Sequence, residues 1–186
     1  MLEVALIGIG RMGIVHANNL FYMRDVKLKY IVDQNVERAQ KIASEYQAIS
    51  CDLNTCLKDP NIAAIFIVSP TKTHADIIVQ AAKAGKAIFC EKPIAGTLSD
   101  TNWSLEEVQK AQVPLFVGFN RRFDPNFQAI HSRIQKGEIG EIEQIIIISR
   151  DPQPPSIDYL KNSGHLFRDM TIHDLDMARW LLNEEQ

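Results

Sequence analysis

The sequence predicts an α/β fold, in which a doubly wound parallel sheet is followed by the start of a second α+β domain. Over residues 1–120, short apolar runs alternate with segments of helical periodicity. Several of these runs are apolar on both faces, which is typical of parallel strands covered by helices on both sides. After residue 120 the alternation stops. We therefore predict one complete domain at 1–120 and the beginning of an incomplete one at 121–186.

Five apolar runs are predicted to be strands of the sheet, and four helices are predicted to cross between them. The strands are predicted at 2–8, 26–33, 62–68, 86–90 and 114–119. The helices are predicted at 11–23, 35–47, 72–85 and 98–112. Because such crossovers are right-handed, the carboxyl ends of the strands are expected to face one ligand crevice.

The second part of the chain has fewer predicted elements. A connecting helix is predicted at 125–136, an isoleucine-rich strand at 141–150 and a final helix at 165–186. A strand of this kind needs sheet partners, and the sequence supplies none beyond it. We therefore expect either a fragment of a longer protein or partner strands from another molecule.

The composition is typical of a globular protein that neither binds nucleic acid nor spans a membrane. Of the 186 residues, 46% are hydrophobic and 23% are charged, and no Lys/Arg run of the nucleic-acid-binding kind is present. The apolar runs at 62–68 and 145–148 are too short to cross a bilayer, and no signal peptide is expected at the start. Cys51, Cys56 and Cys90 lack CxxC or zinc-ligand spacing. We therefore expect free thiols, a cytoplasmic location and no metal site.

A glycine motif, GIGRMG, lies between the first predicted strand and the first predicted helix. Its glycines are Gly8, Gly10 and Gly13, and Asp33 ends the second predicted strand twenty positions after Gly13. This strand–turn–helix context, with an acidic residue at this distance, is what the Rossmann dinucleotide-binding fingerprint requires. The alternative is a glycine-rich turn that binds no ligand.

Each part of the glycine motif has a predicted role. Gly8 permits the tight turn, Gly10 lets the backbone approach a pyrophosphate, and Gly13 lets helix and strand pack closely. The first helical turn starts at Arg11 and Met12. Its N–H groups and the positive end of the helix dipole are expected to hold the phosphates.

Residues after the second and third predicted strands extend this site. Asp33 can accept hydrogen bonds from both ribose hydroxyls and would repel a 2′-phosphate, so NAD is the expected cofactor rather than NADP. Arg38, one turn into the next helix, slightly weakens that preference. Pro70 and Thr71 are expected to line the nicotinamide half of the site. For His74, lining the cofactor and meeting solvent are equal alternatives.

Glu91, Lys92 and Pro93 follow the fourth predicted strand, at the edge where the nicotinamide ring is expected. We expect Glu91 to contact the cofactor. Beside the positive ring of NAD⁺ the ammonium form of a lysine is disfavoured, so Lys92 can exchange a proton with a substrate hydroxyl. A cis Lys92–Pro93 peptide bond is a further hypothesis, and an ordinary ion pair at a strand end is the alternative. His16, in the first helix, is expected to be a packing residue.

Asp169 and His173 lie four positions apart in the last predicted helix, which puts both side chains on one face. A carboxylate one turn away can orient the imidazole and raise its basicity. The pair therefore suits removal of a hydroxyl proton while a hydride leaves the same carbon. Two alternatives remain: a helix-stabilising pair, or half of a metal site completed by Asp176. Asp174 is expected to point elsewhere on the helix.

Several stretches together resemble the glucose–fructose oxidoreductase/inositol dehydrogenase family, and within it the inositol 2-dehydrogenases. They are GIGRMGIVHA, SPTKTHADIIVQAAKAGKAIFCEKP, GFNRRFDP, SRDPQPP and SGHLFRDMTIHDLDMARWL. The resemblance implies a homo-oligomeric enzyme that uses NAD to oxidise a ring hydroxyl of a cyclic polyol or sugar, with myo-inositol as the type substrate.

The resemblance also implies roles for individual residues. Lys92, Asp169 and His173 form the implied catalytic set, in which the lysine and histidine handle the substrate hydroxyl and its proton. The aspartate supports the histidine. Arg121 corresponds to a position near cofactor and substrate, and Asp151 begins a loop close to the polyol.

The sequence departs from the family in two respects. His165 stands where the related sequences have glycine, and only the first strand and the catalytic helix of the second domain are present. Two further alternatives follow. One is a non-catalytic NAD-binding module, and the other is a protein that self-associates through the exposed edge of the predicted strand 141–150.

Overall fold

The computed structural model describes residues 1–150, 153–154 and 166–183. The chain divides into two compact units, Met1–Gly118 and Phe119–Gln186. Within the described part of the chain, no helix is long and apolar enough to cross a membrane.

The first unit contains a six-stranded sheet with the strand order β3-β2-β1-β4-β5-β6. The strands are β1 (Leu2–Ile7), β2 (Val26–Val32), β3 (Ile49–Ser50), β4 (Ile62–Ile67), β5 (Ala87–Cys90) and β6 (Leu115–Val117). Every pair of neighbouring strands is parallel. The order runs outward from β1 in both directions, which confirms the predicted doubly wound Rossmann fold.

Five helices connect these strands. They are α1 (Arg11–Tyr22), α2 (Val36–Glu45), α3 (Leu53–Lys58), α4 (His74–Lys83) and α5 (Leu98–Ala111). Three of them begin at a residue whose side chain accepts a hydrogen bond from the first turn: Asn35 for α2, Asp52 for α3 and Thr97 for α5. These caps satisfy backbone N–H groups that have no partner inside the helix.

Two hydrophobic clusters cover the two faces of the sheet. Along β1, Ala5 and Ile7 belong to one cluster, whereas Val4 and Leu6 belong to the other. Successive side chains of a strand point to opposite faces, so this division places apolar packing on both sides. The burial explains why the sequence of β1 is apolar at consecutive positions instead of alternating.

β3 and α3 were not predicted from the sequence, which predicted no element between the second helix and the third strand. β3 has only two residues, which pair with Tyr30 and Ile31 of β2. α3 has six residues. Elements this short do not show a hydrophobic period that can be recognised in the sequence. The helix predicted from residue 72 likewise begins with a separate 3₁₀ turn, Thr71–Thr73, before α4.

The regular elements of the second unit, among its described residues, are all helical. They are a 3₁₀ turn (Asn120–Phe123), α6 (Pro125–Gln135), a π-helical turn (Phe167–Thr171) and α7 (Ile172–Leu182). The His131 and Trp180 rings stack between α6 and α7, with centroids 4.1 Å apart.

The predicted strand at 141–150 is wrong for the described chain. These residues have no strand assignment, and Ile146 and Ile148 are each 74% exposed. A strand is defined by its pairing with a neighbour, and no described residue pairs with this segment. The segment has the isoleucine-rich composition of a strand, but its backbone does not form the hydrogen bonds that define one.

Replacing a core isoleucine should separate burial from strand propensity. Ile65 in β4 is 0% exposed, whereas Ile49 in β3 is 56% exposed. We expect Ile65→Ala to lower the free energy of unfolding by about 2–5 kcal/mol, because it leaves a cavity in the core. Ile49→Ala should stay within about 1 kcal/mol of the wild type. Denaturant unfolding of both variants measures the difference, and equal losses would contradict the assigned core.

Candidate functional site

The carboxyl ends of four strands meet at one edge of the sheet. Ile7 at the end of β1 is in register with Val32 of β2 and with Ile67 of β4. Ile67 in turn is in register with Cys90 of β5. The residues that follow these strands are therefore neighbours along this edge, although they are far apart in the sequence.

The glycine turn after β1 is packed so closely that two of its glycines cannot carry a side chain. Gly8 has a φ of +100°, and a Cβ there would lie 2.6 Å from backbone atoms of Ser69. A Cβ on Gly13 would lie 2.1 Å from the carbonyl oxygen of Gly8. Gly8 thus gives the tight turn and also lets the β1 turn touch the end of β4. Gly13 packs against the turn itself.

Gly10 differs from the other two glycines because the space beside it is open. It is the N-cap of α1, is exposed, and has no atom within 4 Å of the position that a Cβ would take. No side-chain cap engages the first turn of α1, which begins at Arg11 and Met12. Open space next to helix N–H groups fits a dinucleotide pyrophosphate, which the helix N-terminus stabilises.

Asp33 follows β2, and its carboxylate is anchored by three donors. The Ile9 amide donates to Oδ2 at 2.7 Å, and the Asn35 amide and the Arg38 guanidinium each donate to Oδ1 at 2.8 Å. Burial acts to raise the pKa of Asp33, but these hydrogen bonds outweigh it and hold the pKa below its usual range. Asp33 is therefore an ionised acceptor next to the glycine turn.

His74 is buried, so the alternative in which it meets solvent is wrong. It is 1% exposed, with Nε2 2.7 Å from the carbonyl oxygen of Ser69 and Nδ1 2.8 Å from that of Pro93. The ring thereby joins the loop after β4 to the loop after β5. Of the residues predicted beside it, Pro70 is exposed and Thr71 is half-buried at the same loop. His74 therefore acts on this edge of the sheet by joining these two loops.

Glu91 after β5 is held by the first helix and by its own loop. His16 Nε2 lies 2.8 Å from Glu91 Oε1, and the Lys92 amide donates to Oε2 at 3.3 Å. Since a carboxylate only accepts, the proton of this contact belongs to His16 Nε2. Burial acts to raise the pKa of Glu91, but the hydrogen bond and charge of His16, together with the hydrogen bond and charge of Lys92, outweigh it, and the pKa is lowered. The Lys92–Pro93 peptide bond is cis, which confirms that hypothesis.

A row of aromatic rings lies beneath the Glu91 loop. Phe66, Phe89 and Phe116 occupy paired positions of β4, β5 and β6 and stack on one face of the sheet. The His16 ring lies 5.1 Å from the Phe89 ring. A Cβ on Gly118 would lie 3.2 Å from Glu91 Oε2. His16 is thus a hydrogen-bond partner of Glu91 and not only a packing residue. The two residues are 75 positions apart, so no local sequence pattern could indicate this contact.

In the second unit, the predicted Asp169/His173 pair spans a change of helix type. Asp169 lies in the π-helical turn and His173 in the first turn of α7. The α-helical spacing rule that placed both on one face therefore applies only in part, because a π turn is wider. The His173 ring contacts Phe119 edge-on at a centroid distance of 6.4 Å. Single π turns inside helices are frequent at functional sites.

Two ion pairs, both unforeseen from the sequence, fix the start of the second unit to α7. Asp174 accepts hydrogen bonds from Arg121 and from Ser149, the latter at 2.6 Å. Arg122 donates to both carboxylate oxygens of Asp176, at 2.8 and 2.5 Å. Burial acts to raise the pKa of Asp174, and these donors outweigh it, so the pKa is lowered.

This arrangement argues against the alternative in which Asp176 completes a metal site with Asp169 and His173. Asp176 is 8% exposed, and both of its oxygens are bound by Arg122. In residues 1–150, 153–154 and 166–183, no three His, Cys, Asp or Glu side chains form a group that could hold a metal ion. Two other predicted positions, Asp151 and His165, lie outside the described residues.

The chain is similar to proteins that are named inositol dehydrogenases. Residues 2–119 match the model of an oxidoreductase family with an NAD-binding Rossmann fold, and residues 127–186 match a GFO/IDH/MocA C-terminal domain. The chain is 47% identical to an inositol 2-dehydrogenase of Rhizobium meliloti over 180 residues. It is 41% identical to a myo-inositol 2-dehydrogenase of Thermotoga maritima over 186 residues.

A solved structure has the same fold. The scyllo-inositol dehydrogenase of Lactobacillus casei, with bound NAD(H) and scyllo-inositol, superimposes with a TM-score of 0.87 at 29% identity. The three comparisons cover 97%, 99% and 100% of this chain, but 54%, 56% and 57% of the other proteins. The chain therefore spans about half the length of the relatives that it matches.

Substitutions at two glycines should separate cofactor binding from folding. We expect Gly10→Ala to raise the Kd for NADH at least about tenfold, or about 1.4 kcal/mol, because the methyl group fills the space that the pyrophosphate needs. Gly13→Ala should instead lower the melting temperature by about 2–8 °C, because its methyl group meets the Gly8 carbonyl. NADH titration and thermal melting measure both. If Gly10→Ala binds NADH as the wild type does, the pyrophosphate is misplaced.

Proposed function

The chain belongs to the oxidoreductase family with an NAD-binding Rossmann fold, and from that premise we propose that its protein is an NAD-dependent dehydrogenase of cyclic polyols or sugars. The proposed reaction oxidises a ring hydroxyl to a ketone, as in a myo-inositol 2-dehydrogenase. The observation that carries the proposal is the row of residues along one edge of the sheet: Asp33, the glycine turn at 8–13 and the Glu91–Pro93 loop.

The strand order supports a direction for the dinucleotide. Across β2, β1, β4 and β5 the edge carries, in turn, Asp33, Gly8, Ser69 and Glu91. Three strand spacings of about 4.8 Å make this row about 14 Å long, which suits an elongated ligand. We place the adenosine ribose at Asp33, the pyrophosphate over Gly10 and the first turn of α1, and the nicotinamide towards Glu91. Pro70 and Thr71 lie on the nicotinamide side of that row.

The proposed chemistry needs a proton acceptor at the same carbon that loses a hydride. Bound NAD⁺ supplies the hydride acceptor. Lys92 and His173 are the groups proposed to take the hydroxyl proton, and Asp169 is proposed to orient His173. Lys92 belongs to the first unit and the other two residues to the second, so their convergence on one carbon is part of the proposal.

Hydrogen bonds around the backbone of Lys92 and an ion pair next to His173 support fixed positions for both. The carboxylate of Glu91 holds the Lys92 backbone N–H, and His74 holds the Pro93 carbonyl. Arg121 and Asp174 hold the start of the second unit against the first turn of α7, next to His173. A fixed geometry is what proton and hydride transfer to one carbon requires. In this proposal Arg121 positions α7, and Asp151 contributes to the polyol site.

The relatives support the substrate class. Two of them are named as inositol 2-dehydrogenases, and the solved structure contains scyllo-inositol beside NAD(H). We further propose a homo-oligomer in the cytoplasm. The location is supported by three cysteines that are all free thiols, Cys51, Cys56 and Cys90.

Replacing Lys92 tests the proposed reaction. In the full-length protein, NADH formation should appear with myo-inositol or a related polyol, and Lys92→Ala should lower kcat by about 10²–10⁴-fold, because a group that exchanges the hydroxyl proton is lost. Lys83→Ala is the matched control. It removes an exposed lysine whose ion pair with Glu107 lies on the surface.

Three outcomes separate the possibilities. Turnover that depends on Lys92 and not on Lys83 supports the dehydrogenase. Turnover that is unchanged in Lys92→Ala would remove this lysine from the reaction. NADH binding without turnover on any inositol or aldose would instead favour a non-catalytic NAD-binding module.

A further inference from the structure

His16 connects the helix after the glycine turn to the loop that carries Lys92. It lies in α1, whose N-cap is Gly10, the residue beside the open space at this edge. His16 Nε2 lies 2.8 Å from Oε1 of Glu91, and the side chains of both residues are 17% exposed. Glu91 immediately precedes Lys92. One hydrogen bond therefore joins the helix proposed to hold the pyrophosphate to the loop proposed to act on the substrate.

The Glu91 carboxylate is confined by the sheet as well as by His16. The Glu91 amide donates to the Ile67 carbonyl at 2.9 Å, so its backbone continues the pairing of β5 with β4. A Cβ on Gly118 would lie 3.2 Å from Oε2, and the Gly118 amide donates to the Cys90 carbonyl at 2.9 Å. Oε2 also accepts from the Lys92 amide at 3.3 Å. One oxygen thus engages α1, while the other engages the Lys92 backbone.

The His16 ring is held in place by aromatic packing. Its centroid lies 5.1 Å from that of Phe89, which stacks in turn on Phe66 and Phe116. These three phenylalanines belong to paired strands, so the surface beneath the imidazole is fixed by the sheet. A hydrogen bond to an ionised acceptor is stronger than one between neutral groups. A half-buried carboxylate that loses this donor has to turn towards another one.

We propose that His16 is a positioning residue: by holding Oε1 of Glu91, it keeps Oε2 on the backbone N–H of Lys92 and so fixes the lysine relative to the cofactor at α1. The inference rests on the proposed function, in which Lys92 exchanges the hydroxyl proton and the pyrophosphate lies over Gly10. In this role His16 acts through Glu91 and exchanges no proton with the substrate.

The proposed role concerns the chemical step more than cofactor binding. The pyrophosphate is proposed to lie at Gly10 and the first turn of α1, and the close contact of Gly8 with Ser69 does not involve His16. Loss of His16 should therefore leave the cofactor site in place and release only the Lys92 loop. A misplacement of about 1 Å caused by a residue outside the reaction can cost about 10²-fold in rate.

The first test is steady-state kinetics of the full-length protein with NAD⁺ and myo-inositol. His16→Leu keeps an apolar group beside Phe89 and removes the donor, and we expect it to lower kcat by about 10- to 100-fold while the Kd for NADH stays within about threefold. His16→Gln supplies a side-chain N–H of similar reach and should restore kcat to within about fivefold of the wild type. Asn19→Leu, at an exposed position of the same helix, is the matched control.

A second measurement does not need turnover. In a ¹⁵N–¹H spectrum of lysine-labelled protein, the Lys92 amide signal, assigned by its absence in Lys92→Ala, reports the hydrogen bond to Glu91. We expect this signal to move in His16→Leu and to stay near its wild-type position in Asn19→Leu. His16→Gln should also keep it close to the wild-type position. Because both substitutions at His16 remove the imidazole ring, this comparison separates the hydrogen bond from the magnetic effect of the ring.

The outcomes separate the inference from the proposed function. The inference is overturned if His16→Leu keeps the wild-type kcat, if His16→Gln loses as much as His16→Leu, or if NADH affinity falls as far as kcat. If the wild type turns over no inositol, or if Lys92→Ala keeps full turnover, the proposed function fails instead. The Lys92 amide signal then decides alone, and an unmoved signal in His16→Leu overturns the positioning role. Thermal melting checks every fold; should His16→Leu unfold, His16→Phe keeps a ring on Phe89 and gives the same comparison.

Discussion

The close contact between the backbone at Gly8 and the backbone at Ser69 is the constraint on which the site depends. It exists because Gly8 has no Cβ and adopts a φ of +100°. The Gly8 amide also donates to the Val32 carbonyl at 2.8 Å, so one residue ties together the ends of β1, β2 and β4. Any side chain at this position would push the glycine turn after β1 away from the Ser69 loop after β4.

Two carboxylates at this edge are held in the same way. Asp33 and Glu91 each follow a strand, each accept a backbone N–H from nearby, and each accept from a basic side chain, Arg38 or His16. In both cases hydrogen bonds lower the pKa against the effect of burial, so both groups are anionic acceptors at neutral pH. The site therefore carries one fixed negative charge at each end, which suits a ligand with hydroxyls at one end and a cationic ring at the other.

Much of the first unit could be predicted from the sequence, because the relevant signals are local. The GIGRMG motif, both-face apolar strands and Asn35 each act within a few residues. What could not be predicted depends on contacts across the fold. His16 meets Glu91, and His74 meets Pro93, only after the sheet has brought them together. The isoleucines of 141–150 led to a wrong strand because pairing, and not composition, makes a strand.

We propose above all that a dinucleotide lies over the glycine turn at this edge. The most direct measurement is NADH titration of the ¹⁵N-glycine-labelled chain, whose nine glycines give a small set of amide signals in a ¹⁵N–¹H spectrum. We expect large shifts for Gly8, Gly10 and Gly13, with little change at Gly85, which follows α4 and precedes the opposite end of β5. Shifts that are concentrated at Gly85, with the three motif glycines unmoved, would contradict it.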